Sequence, residues 1–180
     1  MRQSRILAIV IVFLLFAAAP ALAQSPAGVE ARVVVGISLQ GGVFGDDSPR
    51  PSRGAGLTVG AQARWRPDRG TGVVVDVAFH PVALKNPHFD ERLRVLTIQV
   101  APEIGKNVYV RPGAGLALHF WSGDTQAPVS FGPTFGAAFG IHREIGDSTR
   151  ITPEIIASAS VEPGALAWTL GAQATVSRRR

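Results

Sequence analysis

No cysteine occurs anywhere in the 180 residues. Disulfide staples are ruled out, and so is lipid attachment at a processed cysteine. Lysine is nearly as scarce, with only Lys85 and Lys106. A soluble antiparallel protein draws on Lys, Glu and Thr for its wet face and its edges, and this chain has little such material for them. After Ala23 no segment has the 3.6-residue apolar period of an amphipathic helix. Cys clusters, nucleotide fingerprints and Gly-rich phosphate loops are missing too, and the 20 glycines recur at strand spacing. Basic surplus is small as well. Setting aside Arg2 and Arg5 leaves 16 Lys and Arg against 13 Asp and Glu, or +3 for residues 24–180. The one basic run, Arg178-Arg179-Arg180, reads as a solvated tail, so the pI makes no case for nucleic acid.

What is present begins with a leader. Arg2 and Arg5 precede an uncharged run from Ile6 to Ala19, which Pro20 breaks. Ala21-Leu22-Ala23 then supplies a small-x-small site, the pattern of a secretory signal peptide cleaved after Ala23. The run is short for a retained membrane anchor. The domain reading is therefore a signal peptide over residues 1–23 and a single domain over 24–180.

Every second residue from Val108 to Phe120 is apolar: Val108, Val110, Pro112, Ala114, Leu116, Leu118, Phe120. The alternate set, from Tyr109 to Trp121, holds Arg111, His119 and glycines. A period of two is the strand period, and this one is long enough to cross a bilayer when tilted. Seven more segments repeat it. Their apolar faces run Ala31–Leu39, Leu57–Trp65, Val73–Phe79, Leu96–Ile104, Val129–Ile141, Ile151–Ala159 and Leu166–Val176. Loops are expected near 45–54, 83–91, 122–128 and 161–164. Shorter turns are expected near 67–71, 105–107 and 144–149. The fold class is all-β: an eight-stranded antiparallel up-and-down transmembrane β-barrel.

Alternation does not say which face is inside. Three features place the apolar face against lipid: its continuity at spanning length, both signs of charge beside small residues on the other face, and the shortage of lysine. An eight-stranded barrel has an interior that side chains just fill. Arg64, Asp76, Glu103, Arg111 and Glu154 all fall on the polar face in the turn-side half, and are expected to pair as a charge cluster closing the lumen. Trp65 and Trp168 are expected near the turn-side interface, with Phe120 and Phe131 nearer the loops. Arg92 and Arg94 share the apolar parity at the loop-side end of the fourth strand, where they could meet lipopolysaccharide phosphates.

Chemistry is harder to find. A hydrolase would need Ser, His and an acid within hydrogen-bond reach. His119 and Ser122 are the weak candidates for catalysis, with Asp124 beyond them. His80 and His119 could both line the upper lumen, but no third ligand accompanies them, so neither a metal nor another cofactor is expected.

Two short segments carry a resemblance. Tyr109-Val110-Arg111-Pro112-Gly113-Ala114-Gly115 in the fifth strand and Trp168-Thr169-Leu170-Gly171-Ala172 in the last, within this strand plan, make the chain resemble the small eight-stranded outer-membrane β-barrels of the OmpA/OmpX type. The resemblance implies a Gram-negative outer membrane and insertion by the barrel-assembly machinery. The chain departs from it in ending Val176-Ser177-Arg178-Arg179-Arg180, where such chains often end on an aromatic residue. The reading that results is a monomeric, non-enzymatic outer-membrane barrel, structural or interacting through its loops, with lipids and lipopolysaccharide as its surroundings. The alternatives are an enzyme modifying lipid A or phospholipid, a narrow solute or ion channel, and a soluble periplasmic binder.

Overall fold

The structure is a computed structural model. It describes residues 29–44, 50–66, 71–86, 89–122, 129–146, 149–162 and 165–178; residues 1–23, the expected signal peptide, lie outside these, as do the side chains of several outer strand ends. The strands are β1 (Val29–Phe44), β2 (Arg50–Trp65), β3 (Thr71–Asn86), β4 (Phe89–Gly105), β5 (Val108–Ser122), β6 (Ser130–Ile141), β7 (Arg143–Ile145), β8 (Thr149–Glu162) and β9 (Ala165–Arg178). Each pairs antiparallel with its sequence neighbour, except that β6 and β7 both pair with β8. The two share one register on β8, from Thr134↔Ser160 to Ile145↔Thr149, and so form one stave interrupted at His142. There the backbone amide of His142 bonds the carbonyl of Asn107 at 2.7 Å.

β1 also pairs with β9, from Arg32↔Ser177 to Phe44↔Ala165. The sheet is therefore closed: eight staves, no free edge. Among the described residues no helix is long and apolar enough to cross a membrane.

The faces divide as the alternation requires. Ile37 is 65% exposed and Phe131 71%, whereas Arg32 and Glu103 are 2% and 0% exposed. The apolar residues thus clothe the outside, which is stable only against hydrocarbon. Two facing positions on this outer face are prolines, Pro102 and Pro112. The β4–β5 ladder has a gap there, between Val100↔Ala114 and Ile104↔Val110, as expected where two neighbouring residues bring no N–H.

Four sequence expectations need correcting. Residues 50–54 of the loop expected near 45–54 belong to β2 and pair with β1, from Phe44↔Arg50 to Gln40↔Gly54. Residues 83–91 do not form a loop; β3 and β4 stay paired out to Asn86↔Phe89, leaving a two-residue link. Above the hydrocarbon both faces of a strand may be polar, so Lys85, Asp90 and Glu91 look like loop by composition while hydrogen bonding continues. Trp168 lies at the loop end and not the turn end, since it is the fourth residue of β9 and pairs with Gly41 late in β1. Phe79 keeps outward parity but is only 7% exposed.

At the other end β4 and β5 are joined by two residues. Gly105 has φ 123°, a conformation in which a side chain would be strained, and it closes β4 into β5 through Lys106 and Asn107.

Candidate functional site: a charged network inside the barrel

Polar parity brings an ionic network together in the turn-side half of the lumen. Its lower tier is built on β1, β2 and β4. Glu103 receives Arg32 Nη1 at 3.2 Å, lies in contact with Arg64 Nη2, and has His142 Nε2 at 3.4 Å. Glu30 takes Arg64 Nη1 at 3.0 Å, Arg32 Nε at 3.3 Å and the Ser177 hydroxyl at 2.5 Å. Arg150 extends the tier towards the turns, reaching Glu30 at 3.3 Å. The upper tier centres on Arg111 and Glu154. Arg111 offers Nη1 and Nη2 to the two carboxylate oxygens of Glu154, each at 3.0 Å, in a bidentate fork. Gln62 accepts from Arg111 Nη1 at 3.1 Å and donates to Asp76 at 3.2 Å. Gln173 donates to Glu154 at 2.5 Å, and the Tyr109 hydroxyl donates to the same carboxylate.

Tyr109 joins the tiers. Its ring stacks on His142 with centroids 4.6 Å apart and an interplanar angle of 27°. Gly140 makes this possible: a Cβ there would lie 2.4–2.8 Å from the Tyr109 hydroxyl and ring.

Alternating charge explains why such groups can be buried together. An isolated buried ion costs several kcal/mol. Here Glu103 sits between two guanidinium groups, and Arg111 between two carboxylates. The structure brings Arg64, Asp76, Glu103, Arg111 and Glu154 into this network. Glu30, Arg32, Tyr109, His142, Gln62 and Gln173 complete it, and sequence reasoning had not gathered them. The parity of Arg32, and its place at the same end as Arg64, was the available signal. Tyr109 has the same inward parity, but its partner Glu154 is two staves away around the wall, across Gly140.

The loop-side half of the lumen is different. Val82, Leu93, Val95 and Ala117 point inward there as a small apolar cluster. His80 bonds Thr58 Oγ1 through Nδ1 at 3.0 Å. His119 Nε2 bonds Ser160 Oγ at 3.2 Å, and its Nδ1 contacts the Glu162 carboxylate. The expected neighbour of His119, Ser122, has its side chain outside the described ones, as does Arg92. The row Ser160–His119–Glu162 has the order of a hydrolase triad. The cavity beside His119 and Ser160, however, is about 10 Å³, room for one water and far too little for an ester. The row is a hydrogen-bonded filling of the lumen in this closed form. Among the described residues no three His, Asp or Glu are gathered as metal ligands.

The closed wall, the outward apolar face and the filled lumen define the class: this chain has the fold of the small eight-stranded outer-membrane β-barrels. Among solved structures it is similar to Neisserial surface protein A, at TM-score 0.51 and 15% identity over 81% of this chain and 96% of that one. It is likewise similar to Ail, the attachment invasion locus protein of Yersinia pestis. There the TM-score is 0.55 and the identity 12%, over 83% of this chain and 98% of that one. Ail bound to the heparin analogue sucrose octasulfate gives TM-score 0.53 at 16% identity. No protein-family model and no curated protein matches the sequence.

Proposed function

We propose that this protein is a non-enzymatic component of a Gram-negative outer membrane, exported by a cleaved leader and inserted by the barrel-assembly machinery. It stands as a monomer among lipids and lipopolysaccharide, its lumen shut by the ionic network, and acts through its wall and its outer links. The observation carrying this reading is the inversion of an ordinary globule: apolar side chains outside on every stave, paired charges within.

Conductance in planar bilayers tests it. The wild-type barrel is expected to pass no ions. Glu103→Gln and Arg111→Gln together remove one charge from each tier and leave partners unpaired, so water should enter and small current steps should appear. Steady current through the wild-type protein would replace this reading with the narrow channel.

A further inference from the structure

His142 stands where the stave of β6 and β7 is interrupted, and its ring holds a contested position in the lower tier. Nε2 lies 3.4 Å from Glu103 Oε1 and 3.5 Å from Arg64 Nη2. One nitrogen cannot serve both. Towards the carboxylate it must carry a hydrogen, and towards the guanidinium it must lack one. The other ring nitrogen, Nδ1, meets the Thr152 hydroxyl at 3.0 Å, and a hydroxyl donates or accepts as its partner requires. Arg64 Nη2 contacts the same carboxylate oxygen, Oε1, while Oε2 is taken by Arg32 Nη1 at 3.2 Å. His142 and Arg64 therefore compete for one oxygen.

Arg64 has a second place to go. Glu30, its register partner on β1, already takes its Nη1 at 3.0 Å. To meet Glu103 the guanidinium must pass from β2 across β3 to β4. It does so over Gly72, opposite Glu103 on β3, where a Cβ would touch Arg64 Nε at 3.5 Å. One arrangement thus crosses the lower lumen and the other lies along the wall. Charge decides between them. The tier sets Arg32, Arg64 and Arg150 against Glu30 and Glu103, three cations to two carboxylates. A proton on His142 adds a fourth cation 3.5 Å from Arg64. Of the other charged or titratable neighbours, Tyr109 on β5 stacks on the imidazole. Behind it stand Glu154 on β8, Arg111 on β5 and Asp76 on β3. Arg143 and Glu144, next along β7, are exposed. Water reaches the tier from the turn end, where Glu30 and Arg150 keep part of their surface.

We propose that His142 is a proton-operated latch on the closed lumen. A proton taken from turn-side water at Nε2 lets the imidazolium donate to Glu103 and Thr152 at once, displaces Arg64 from Glu103, and leaves Arg64 along the wall on Glu30. The proposal rests on the closed-lumen reading above. Displacing Arg64 withdraws a side chain that crosses the lower lumen. The change reaches the upper tier too, because the Tyr109 ring stacks on His142 and its hydroxyl donates to Glu154, the partner of Arg111. Imidazole suits this role, being the side chain that ordinarily changes charge between pH 5 and 8.

Tyr109 is the single tyrosine of the chain, so its ring signals identify themselves in a magnetic resonance spectrum. Full-length protein with isotope-labelled tyrosine and histidine, folded in lipid nanodiscs, is titrated from pH 8 to pH 5. The Tyr109 ring signals should shift in step with one histidine ring, and His142→Gln should hold them still. His80→Gln, in the loop-side half, should leave the shift in place. In planar bilayers, current steps absent from the wild-type barrel at pH 8 should appear at pH 5, and should stay absent from His142→Gln. The gel shift of the unheated barrel reports folding, and the wild-type titration stands even if a variant misfolds. A wild-type barrel that stays shut at pH 5 overturns the latch and leaves the closed lumen standing. Tyr109 signals that stay flat, or that still move in folded His142→Gln, do the same. Steady wild-type current at pH 8 overturns the closed lumen and the latch together.

Discussion

Glu103 has no exposed surface and serves two guanidinium groups and an imidazole at once. Removing it leaves Arg32 and Arg64 buried together with only Glu30 between them. Breaking such a pair is far costlier than never having had it, because the surviving charge keeps its desolvation penalty. Glu103→Ala is therefore expected to destabilise the barrel by about 3–5 kcal/mol, read by urea unfolding from vesicles, while Lys106→Ala at an exposed turn should change little. Which residues point into the lumen was legible in the sequence from parity alone. The partners of each were not: Arg32 and Glu103 are 71 residues apart and meet only because the wall curves round.

A stave must satisfy lipid on one side and a crowded interior on the other, and β6 shows the second demand. Its inward set, Gly132, Thr134, Gly136, Ala138 and Gly140, is small, and side chains from other staves reach over it: Tyr109 covers Gly140, and Gln99 donates to Thr134 at 3.3 Å. Gly140 lies directly beneath the Tyr109 ring. Gly140→Ala should push Tyr109 off both His142 and Glu154, costing about 1–3 kcal/mol by overpacking. Adding Gly140→Ala to Tyr109→Leu should cost much less, a non-additivity that unfolding measurements on the two single variants and the double would reveal. Strand positions were readable because the period of two survives wherever one face meets hydrocarbon. The ends were misread at 83–91, because outside the membrane polar residues on both faces erase that contrast without breaking the ladder.

Taken whole, the barrel is held by a wall with no edge and by the solvent it is placed in. β1 pairing with β9 removes the last unpaired strand, which in hydrocarbon would leave a row of unsatisfied N–H and C=O groups. Leu116 lies near the middle of the lipid-facing band, between Ile98 and Pro133. Leu116→Arg should destabilise the protein by about 2–4 kcal/mol in vesicles. The same change should matter much less in detergent, where the micelle deforms around a charge. Equal penalties in both media would mean that Leu116 does not face acyl chains.

The linear chain by itself determined the strand count, the two faces of each strand and the face that meets lipid, because each follows from local alternation, length and the shortage of lysine. Closure of β1 on β9, the linking of Arg32, Glu103, Arg111 and Glu154 into two tiers, and the inward turn of Leu93 and Val95 were decided only in three dimensions. Register around a closed wall joins residues whose separation in sequence carries no local signal, and the apolar outer end of the lumen exists only because three adjacent staves supply it together.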